Sequence, residues 1–472
     1  MKVYSFLFLA LLAACGNYNP HLQEVAIPTT WKQTMPSQDS FSEKNRFWEL
    51  FEDPILNELE EEGIAANFDL QIAASRIFQS RATVLKEHGN RFPQVSSSFS
   101  AASDETLLNP HSFGSSHHMG RVKQEQYSLL AGFSYELDLW GKLKAKEKSA
   151  RYRLQASELE YEFVYQTLVT DIATHYFTLR TLDEEIAFLE RAISIWAETV
   201  HLNQCRVQAG LDPAIDLSRS KLELARVEAE IERVRRDRAL EENALATLIG
   251  KPASSWKIST GHLPKQIPNF PSVLPSEILL RRADIQRASA QVAAGRSDVE
   301  VALKSYFPSF PLTASLGLVS PFLSHLFEWQ ARYWSYALNA IQPLFDGWKR
   351  KADVHLAKAR FAENFAEYQK TVNQAFKDVE DALSTLHHTH LQIEAQTRAV
   401  KASTDTLTMA QDQFQSGLIS YLLVADSENT SIQVGREAIA LKGQQIIAWI
   451  RLMKSLGIQK TEKEPSCSLC LE

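Results

Sequence analysis

The sequence has little cysteine and lacks the short motifs that mark enzyme active sites. Four of its 472 residues are cysteine, and it contains no phosphate-binding glycine loop, no serine nucleophile flanked by glycines and no spaced set of cysteines and histidines. We therefore expect no enzymatic activity, no cofactor and no bound metal. The net charge of −7 also gives no electrostatic reason to expect a nucleic-acid partner.

Long apolar runs are missing as well. Beyond residue 14 no run of apolar residues reaches the length of about 18 that a membrane-spanning helix needs. In lipid every backbone polar group must find a partner within the protein, so a chain without such helices can cross a bilayer only as a closed β-barrel.

The first residues have the layout of a secretory signal. Lys2 supplies a positive charge, residues 3–10 form a short apolar stretch, and Leu12-Ala13-Ala14 leads to Cys15. This ending is similar to a bacterial lipobox, which implies removal of residues 1–14 and attachment of acyl chains to Cys15. The alternative is an ordinary signal peptide in which Cys15 is present by chance. We expect residues 15–46 to form a tether.

The remaining cysteines and a histidine pair have simpler explanations than a chemical site. Cys467 and Cys470 have the spacing of a redox motif, but they lie in a polar tail, residues 458–472, without the strand-helix-strand pattern of a redox fold. Cys205 is isolated in the sequence. His387 and His390 share a face of a predicted helix, where a hydrated surface explains them better than a metal site.

Glycine and proline are absent from two very long segments, residues 142–209 and 348–416. Apolar residues recur there at helical spacing, which predicts helices roughly 100 Å long that pack beside other helices. Each segment is followed directly by a glycine, Gly210 or Gly417. A returning helix is predicted after each glycine, over about 215–249 and 422–456. The sequence therefore predicts two long helical hairpins.

The two hairpins belong to an internal duplication. The turn glycines are 207 residues apart, and the Phe-Pro pairs at Phe92 and Phe307 are 215 apart. We expect a first repeat over residues 47–260, with its hairpin at about 142–249, and a second over 261–457, with its hairpin at about 348–456. The difference between the two offsets places extra length in the first half.

Four segments alternate with period two between apolar residues on one side and small or polar residues on the other. They predict strands at about 92–104, 127–139, 307–319 and 332–343. Alternation alone fits a membrane sheet and a soluble antiparallel sheet equally well. Trp329, Tyr333, Trp334 and Trp348, near strand ends, favour the membrane. Four strands are too few to close a barrel, so a membrane-spanning form must be oligomeric.

Five segments along the chain carry a family likeness: Phe47–Pro54, Tyr135–Gly141, Leu274–Ile285, Tyr306–Ser309 and Gln342–Gly347. In this order they resemble the TolC-like outer membrane factor family, in its lipoprotein branch of multidrug efflux channels. The likeness covers nearly the whole mature chain, and the order of the segments makes it more specific than any single motif.

The resemblance implies a mainly α fold with a membrane β-barrel portion. Three chains would form a twelve-strand barrel in the outer membrane and a twelve-helix tunnel in the periplasm, anchored by lipid at Cys15. Such a homotrimer would be the passive, water-filled exit duct of a tripartite efflux system for drugs or other small molecules. Its partners would be outer-membrane lipid, a periplasmic adaptor and an inner-membrane pump.

The resemblance also implies a gate in the second hairpin. In the family a leucine five residues after the turn glycine and an aspartate nine residues after it face the channel axis, which corresponds here to Leu422 and Asp426. Two positions depart from the family pattern. Ala283 stands where a proline is usual, and Trp348 stands where a second glycine is common.

A lipid-anchored periplasmic adaptor or coiled-coil scaffold is the alternative function, since it would also have a lipid anchor and long hairpins. It leaves the duplicated alternating strands and the aromatic residues beside them without an explanation.

The lipobox yields a direct test. We expect the mature protein to begin at Cys15 with acyl chains on its sulfur and its new amino group, because one chain alone holds a protein only marginally in a membrane. Mass spectrometry of the N-terminal peptide measures this. An unmodified Cys15, or a mature start at another residue, would contradict it.

Overall fold

The computed structural model describes residues 31–32, 46–108, 120–264, 266–268 and 282–457, without the side chains of 106–108 and 120–122. The expectations for Cys15, most of the tether, Cys467, Cys470 and the tail lie outside these residues. Seven α-helices and four β-strands follow along this described part of the chain. They are α1 Pro54–Ala66, α2 Phe68–Gly89, β1 Gln94–Leu108, β2 Gly120–Glu136, α3 Lys142–Gln208, α4 Ala214–Leu248, α5 Ala283–Lys304, β3 Pro311–Ser320, β4 Arg332–Leu338, α6 Lys349–Gln415 and α7 Tyr421–Leu456.

The helices confirm the predicted duplication and the two hairpins. Helices α3 and α6 both contain 67 residues and begin 207 residues apart, and the returning helices α4 and α7 contain 35 and 36 residues. Helix α5 begins at Ala283, so the helix starts without the proline that is usual in the family. Among the described residues, none of the helices combines the length and the apolar character that crossing a bilayer requires.

The described residues form two compact units. We call the described part of residues 78–156 and 288–367 the strand unit, and the described part of residues 24–77, 157–287 and 368–472 the helical unit.

The strand unit contains one antiparallel sheet in the order β1-β2-β3-β4. Its register places small or polar residues in rows on one face and larger apolar residues in rows on the other. Strands β1 and β4 are both edges, and much of the apolar face is exposed in the single chain, including Val95, Phe99, Leu316, Trp334 and Tyr336. One small-residue row is Ser96-Gly132-Ser315-Ser335, and one apolar row is Val95-Phe133-Ala314-Tyr336.

Two motifs that resemble the family's corners meet inside the strand unit. The indole of Trp140 stacks on Phe307 at 4.9 Å between ring centroids and donates to the carbonyl of Pro308 at 2.8 Å. Lys304 donates to the carbonyl of Gly141. The sites where helices and strands meet in the two repeats therefore stabilise each other.

A buried carboxylate joins α2 to α3 in the same unit. Burial alone would raise the pKa of Glu147, but hydrogen bonds from Arg151, Arg91 and His88 lower that pKa to about 2. Its side chain is only 5% exposed, and Arg91 and Arg151 contact different oxygens of it. The ionised form of Glu147 is therefore the form that the fold stabilises.

The helical unit has two apolar cores. The first surrounds Trp449 and includes Phe51 and Phe177, with a buried ion pair between Arg180 and Asp183 beside it. The second contains side chains from all four hairpin helices, among them Trp196, Ile231, Ala410 and Val424. The predicted apolar stripes therefore pack the hairpins side by side, as their spacing requires.

Trp348 adopts a left-handed backbone conformation, with φ of 70°, directly after Gly347, which also has positive φ. The carbonyl of Trp348 accepts the amide of Ala352 and so begins α6. The tight turn is thus built with the geometry of two glycines, although the second residue has a side chain. A non-glycine residue in this conformation costs roughly 1–2 kcal/mol.

We predict that Trp348→Gly is more stable than Trp348→Ala by about 1 kcal/mol, because both variants remove the indole and only glycine relieves the backbone strain. The midpoint of thermal unfolding in detergent measures the difference. Equal midpoints for the two variants would show that the turn stores no strain at this residue.

Candidate functional site

Each hairpin turn ends its long helix with a left-handed glycine. Gly210 and Gly417 have φ of 73° and 74°. In both turns the residue after the glycine donates its amide to the carbonyl five residues earlier, Leu211 to Arg206 and Leu418 to Gln413, at 2.9 Å in each case. This is the Schellman motif, in which a glycine closes the helix without a steric penalty. The two turns therefore have the same backbone geometry.

The gate candidates lie on one exposed side of α7, directly after the second turn. Leu422 is 48% exposed, Leu423 is similarly exposed, and Asp426 is exposed one turn further along the helix. Residues Tyr421, Val424 and Ala425 point the other way, into the second apolar core. An apolar and an acidic side chain are thus available together on a surface that the single chain leaves uncovered.

The equivalent side of the first hairpin has different chemistry. The 207-residue offset places Ile215 and Arg219 at the positions of Leu422 and Asp426. Ile215 is exposed, as Leu422 is, but Arg219 reverses the charge of Asp426 and is half-buried. The two hairpins therefore have the same backbone geometry at their turns and differ in the side chains that follow the turns.

The two hairpins are joined next to their turns by an arginine. Arg206 of α3 forms two hydrogen bonds with the carboxylate of Asp212 in the first turn, at 2.6 and 3.0 Å. Its guanidinium also lies 5.3 Å from the ring centroid of Phe414 on α6. Phe414 in turn contacts Tyr421 edge to face. Cys205, beside this arginine, is an exposed free thiol.

Sequence reasoning missed a set of buried polar residues next to the gate candidates. Glu428 is only 5% exposed, and the one side-chain hydrogen bond that it forms with the described residues is long, 3.5 Å from the side-chain amide of Gln411. Burial raises the pKa of the Glu428 carboxyl, although the Gln411 hydrogen bond opposes that rise. Glu428 follows Tyr421, Val424 and Ala425 at the spacing of a helix face that points inward. That spacing was the signal from which burial of Glu428 could have been predicted.

A second missed group joins α7 to every other hairpin helix. Arg436 contacts the carboxylates of Glu185 on α3 and Glu230 on α4, with nitrogen-oxygen distances of 2.6 and 2.5 Å. Gln396 on α6 donates to the carbonyl of Val434 at 3.0 Å. A side chain at Gly435 would lie 2.6 Å from Phe188 of α3, so the two helices approach closely there. We call residues 434–437 with these partners the clamp.

No metal-binding chemistry accompanies these groups in the part of the chain that the structure describes. Within it, there is no group of three or more histidine, cysteine, aspartate or glutamate side chains that could hold an ion. The rings of His387 and His388 contact each other edge to face on α6.

Comparison with known proteins adds the following. The chain matches the family model described as outer membrane efflux protein over residues 60–251 and 274–458. It is 27% identical to TtgC of Pseudomonas putida, a probable efflux pump outer membrane protein, over 92% of this chain and 90% of that protein. It is 26% identical to SilC of Salmonella typhimurium, a probable outer membrane lipoprotein, over 97% of this chain and 98% of that protein. The solved structure of the outer-membrane channel OprN matches with a TM-score of 0.86 and 24% identity over 94% of this chain and 99% of that one, which shows a shared fold.

Proposed function

Because this chain belongs to the outer membrane efflux protein family, we propose that three copies form the water-filled exit duct of a tripartite efflux system. The protein is the outer-membrane channel component of such a system, in agreement with its likeness to TtgC, a probable efflux pump outer membrane protein. The duct is passive and releases drugs or other small molecules that a pump delivers. We assign it no catalytic activity and no cofactor. Its two repeats, residues 47–260 and 261–457, each contribute two strands and one hairpin.

The observation that carries this proposal is the two-faced sheet with two open edges. The exposed apolar face of the strand unit fits lipid, and the face of serine and glycine rows fits a hydrated lumen. Strands β1 and β4 leave unpaired backbone groups, which are costly in lipid until another strand pairs with them. Pairing β4 of one copy with β1 of the next around a threefold axis removes every edge. A periplasmic adaptor or scaffold has no use for such a sheet.

The gate lies in the second hairpin. Three copies of Asp426 form an acidic ring at the narrow end of the tunnel, and three copies of Leu422, one turn closer to the tip, narrow it further. Their exposure on one side of α7 supports this assignment, because an axial position requires side chains that the single chain leaves uncovered. Leucines oppose wetting of a constriction, and carboxylates attract cations.

The partners meet the duct at its periplasmic end. The residues after the turn glycines, Leu211 and Leu418, are both exposed and apolar. They recur once in each repeat, so three copies present six such tips to a periplasmic adaptor, which connects the duct to an inner-membrane pump. Exposed apolar residues at repeated positions are typical of a protein-binding surface.

The lipid anchor at Cys15 retains the chain in the outer membrane. The tether that follows it is fixed to the helical unit at Trp31 and Lys32. The ring of Trp31 lies 6.1 Å from that of Phe376, and the amide of Lys32 donates to Glu380, both on α6.

A trimer is the first test. In mild detergent the purified protein should have the mass of three protomers plus the bound micelle, because only closure satisfies the strand edges. Light scattering combined with chromatography measures this mass. A stable monomer that still inserts into membranes would contradict the closed-barrel proposal.

Single-channel current in a planar bilayer under a salt gradient tests the gate. We predict that the resting channel conducts poorly and prefers cations. Asp426→Ala should weaken the cation preference, and Leu422→Ala should raise conductance by removing apolar bulk from the constriction.

The first repeat supplies the matched control. Ile215→Ala removes a similar apolar group at the equivalent position and should leave conductance close to that of the unmodified channel. If Leu422→Ala and Asp426→Ala both matched the unmodified channel, the gate would have to be sought elsewhere in the tunnel.

A further inference from the structure

The end of the second apolar core nearest the turns contains buried polar atoms that form no hydrogen bond with any residue that the structure describes. They are Oε2 of Glu428, the hydroxyl of Tyr421, both side-chain polar atoms of Asn203 and the indole nitrogen of Trp196. Tyr421 and Glu428 are on α7, whereas Asn203 and Trp196 are on α3. We call Tyr421, Glu428 and Asn203, with Gln411 of α6, the polar layer, because these four residues interact with one another. All of the unpartnered atoms are shielded from solvent by the single chain itself.

The contacts inside the polar layer are poor although its members are neighbours. A weak hydrogen-bonding contact with Asn203 opposes the rise that burial causes in the pKa of Tyr421, but this contact falls short of full hydrogen-bond geometry. The bond from Gln411 to Glu428 is at the upper limit of length for such a bond. Each unpartnered buried polar group costs about 1–3 kcal/mol relative to its hydrated state. This end of the core is therefore held together less firmly than its apolar composition suggests.

The other end of the same stretch of α7 is held firmly. In the clamp, Arg436, Val434 and Gly435 contact α3, α4 and α6 at one level of the helix. The residues between the turn and the clamp, Tyr421–Gln433, include both gate candidates and both α7 members of the polar layer. The segment is thus attached firmly at one end, whereas the core beneath its other end contains buried polar groups without hydrogen bonds. A segment of this kind can move as a hinged element.

We propose that Tyr421–Gln433 is a hinged segment that pivots at the clamp, and that Glu428 is the positioning residue that keeps its closed state easy to open. When the segment moves away from α3, water reaches the polar layer and hydrates groups that the closed state leaves without partners. This hydration offsets part of the cost of exposing the neighbouring apolar side chains. The inference rests on the proposed function, because movement of the segment opens the duct only if Leu422 and Asp426, which move with it, form the gate.

Hydrogen-deuterium exchange of the full-length protein in detergent tests the hinge without reference to transport. Backbone amides of peptides covering 421–433 should exchange faster than those covering 437–450. Glu428→Met keeps the length of the side chain and removes its polar atoms, and it should slow exchange in 421–433 by about tenfold. Removing one buried polar group without a partner stabilises the closed state, and the gain corresponds to roughly that factor in the opening equilibrium. Arg436→Met should extend fast exchange past residue 437, because it releases the clamp.

Two matched variants separate the polar layer from general effects of substitution. Glu428→Gln keeps a polar group in the same place and should slow exchange less than Glu428→Met does. Thr430→Val changes an exposed position in the same segment and should leave exchange as it is. The inference is overturned if peptides 421–433 and 437–450 exchange equally in the unmodified protein, or if Glu428→Met leaves or raises the exchange rate of 421–433.

Planar-bilayer recording then connects the hinge to the duct. Glu428→Met should lower the fraction of time spent in conducting states, because it stabilises the closed core. An unchanged open fraction would overturn the link between this hinge and the gate. If the unmodified protein forms no channel at all, the proposed function fails, whereas the exchange data still decide whether the segment is hinged.

Discussion

The structure depends on the need to pair the edges of a four-stranded sheet. A single chain supplies strands in sequential order and ends with β1 and β4 unpaired, while much of the apolar face between them is exposed. Lipid accommodates the apolar face, but the unpaired edges are not tolerable there until identical neighbours complete the hydrogen-bond ladder. The assembly of several copies that we propose follows from that single requirement.

The fold was largely predictable because its signals are long and repeated. Two segments without glycine or proline predicted helices, and the structure has α3 and α6 there, each of 67 residues. Alternation with period two predicted four strands, and the observed register groups the small residues on one face. Because both halves show the same pattern, the elements predicted in one half supported those predicted in the other. Such signals are properties of many residues together, so a single departure such as Ala283 does not erase them.

The details around the gate were less predictable because they depend on which side chains meet across helices. The spacing of Tyr421, Val424 and Ala425 implies an inward stripe, but nothing in one sequence says that Glu428 faces α6 and that Gln411 reaches it only weakly. The clamp has the same difficulty, since Arg436 meets Glu185 and Glu230 across more than 200 residues of chain. The left-handed conformation of Trp348 was also not deducible. Its turn was recognised, but propensity argues against tryptophan with positive φ.

The similar hairpins of the two repeats have a consequence for symmetry. In the proposed trimer, two such hairpins in each chain would place six nearly equivalent tips around the axis, so that the tunnel would be close to sixfold although its symmetry is threefold. An ancestral single repeat assembled six times would have been obliged to place the same residue at every tip. Fusing two repeats in one chain lifts that obligation. Alternate tips can then differ, with Asp426 and Leu422 in one set and Arg219 and Ile215 in the other, so that only the second hairpins need supply the proposed constriction.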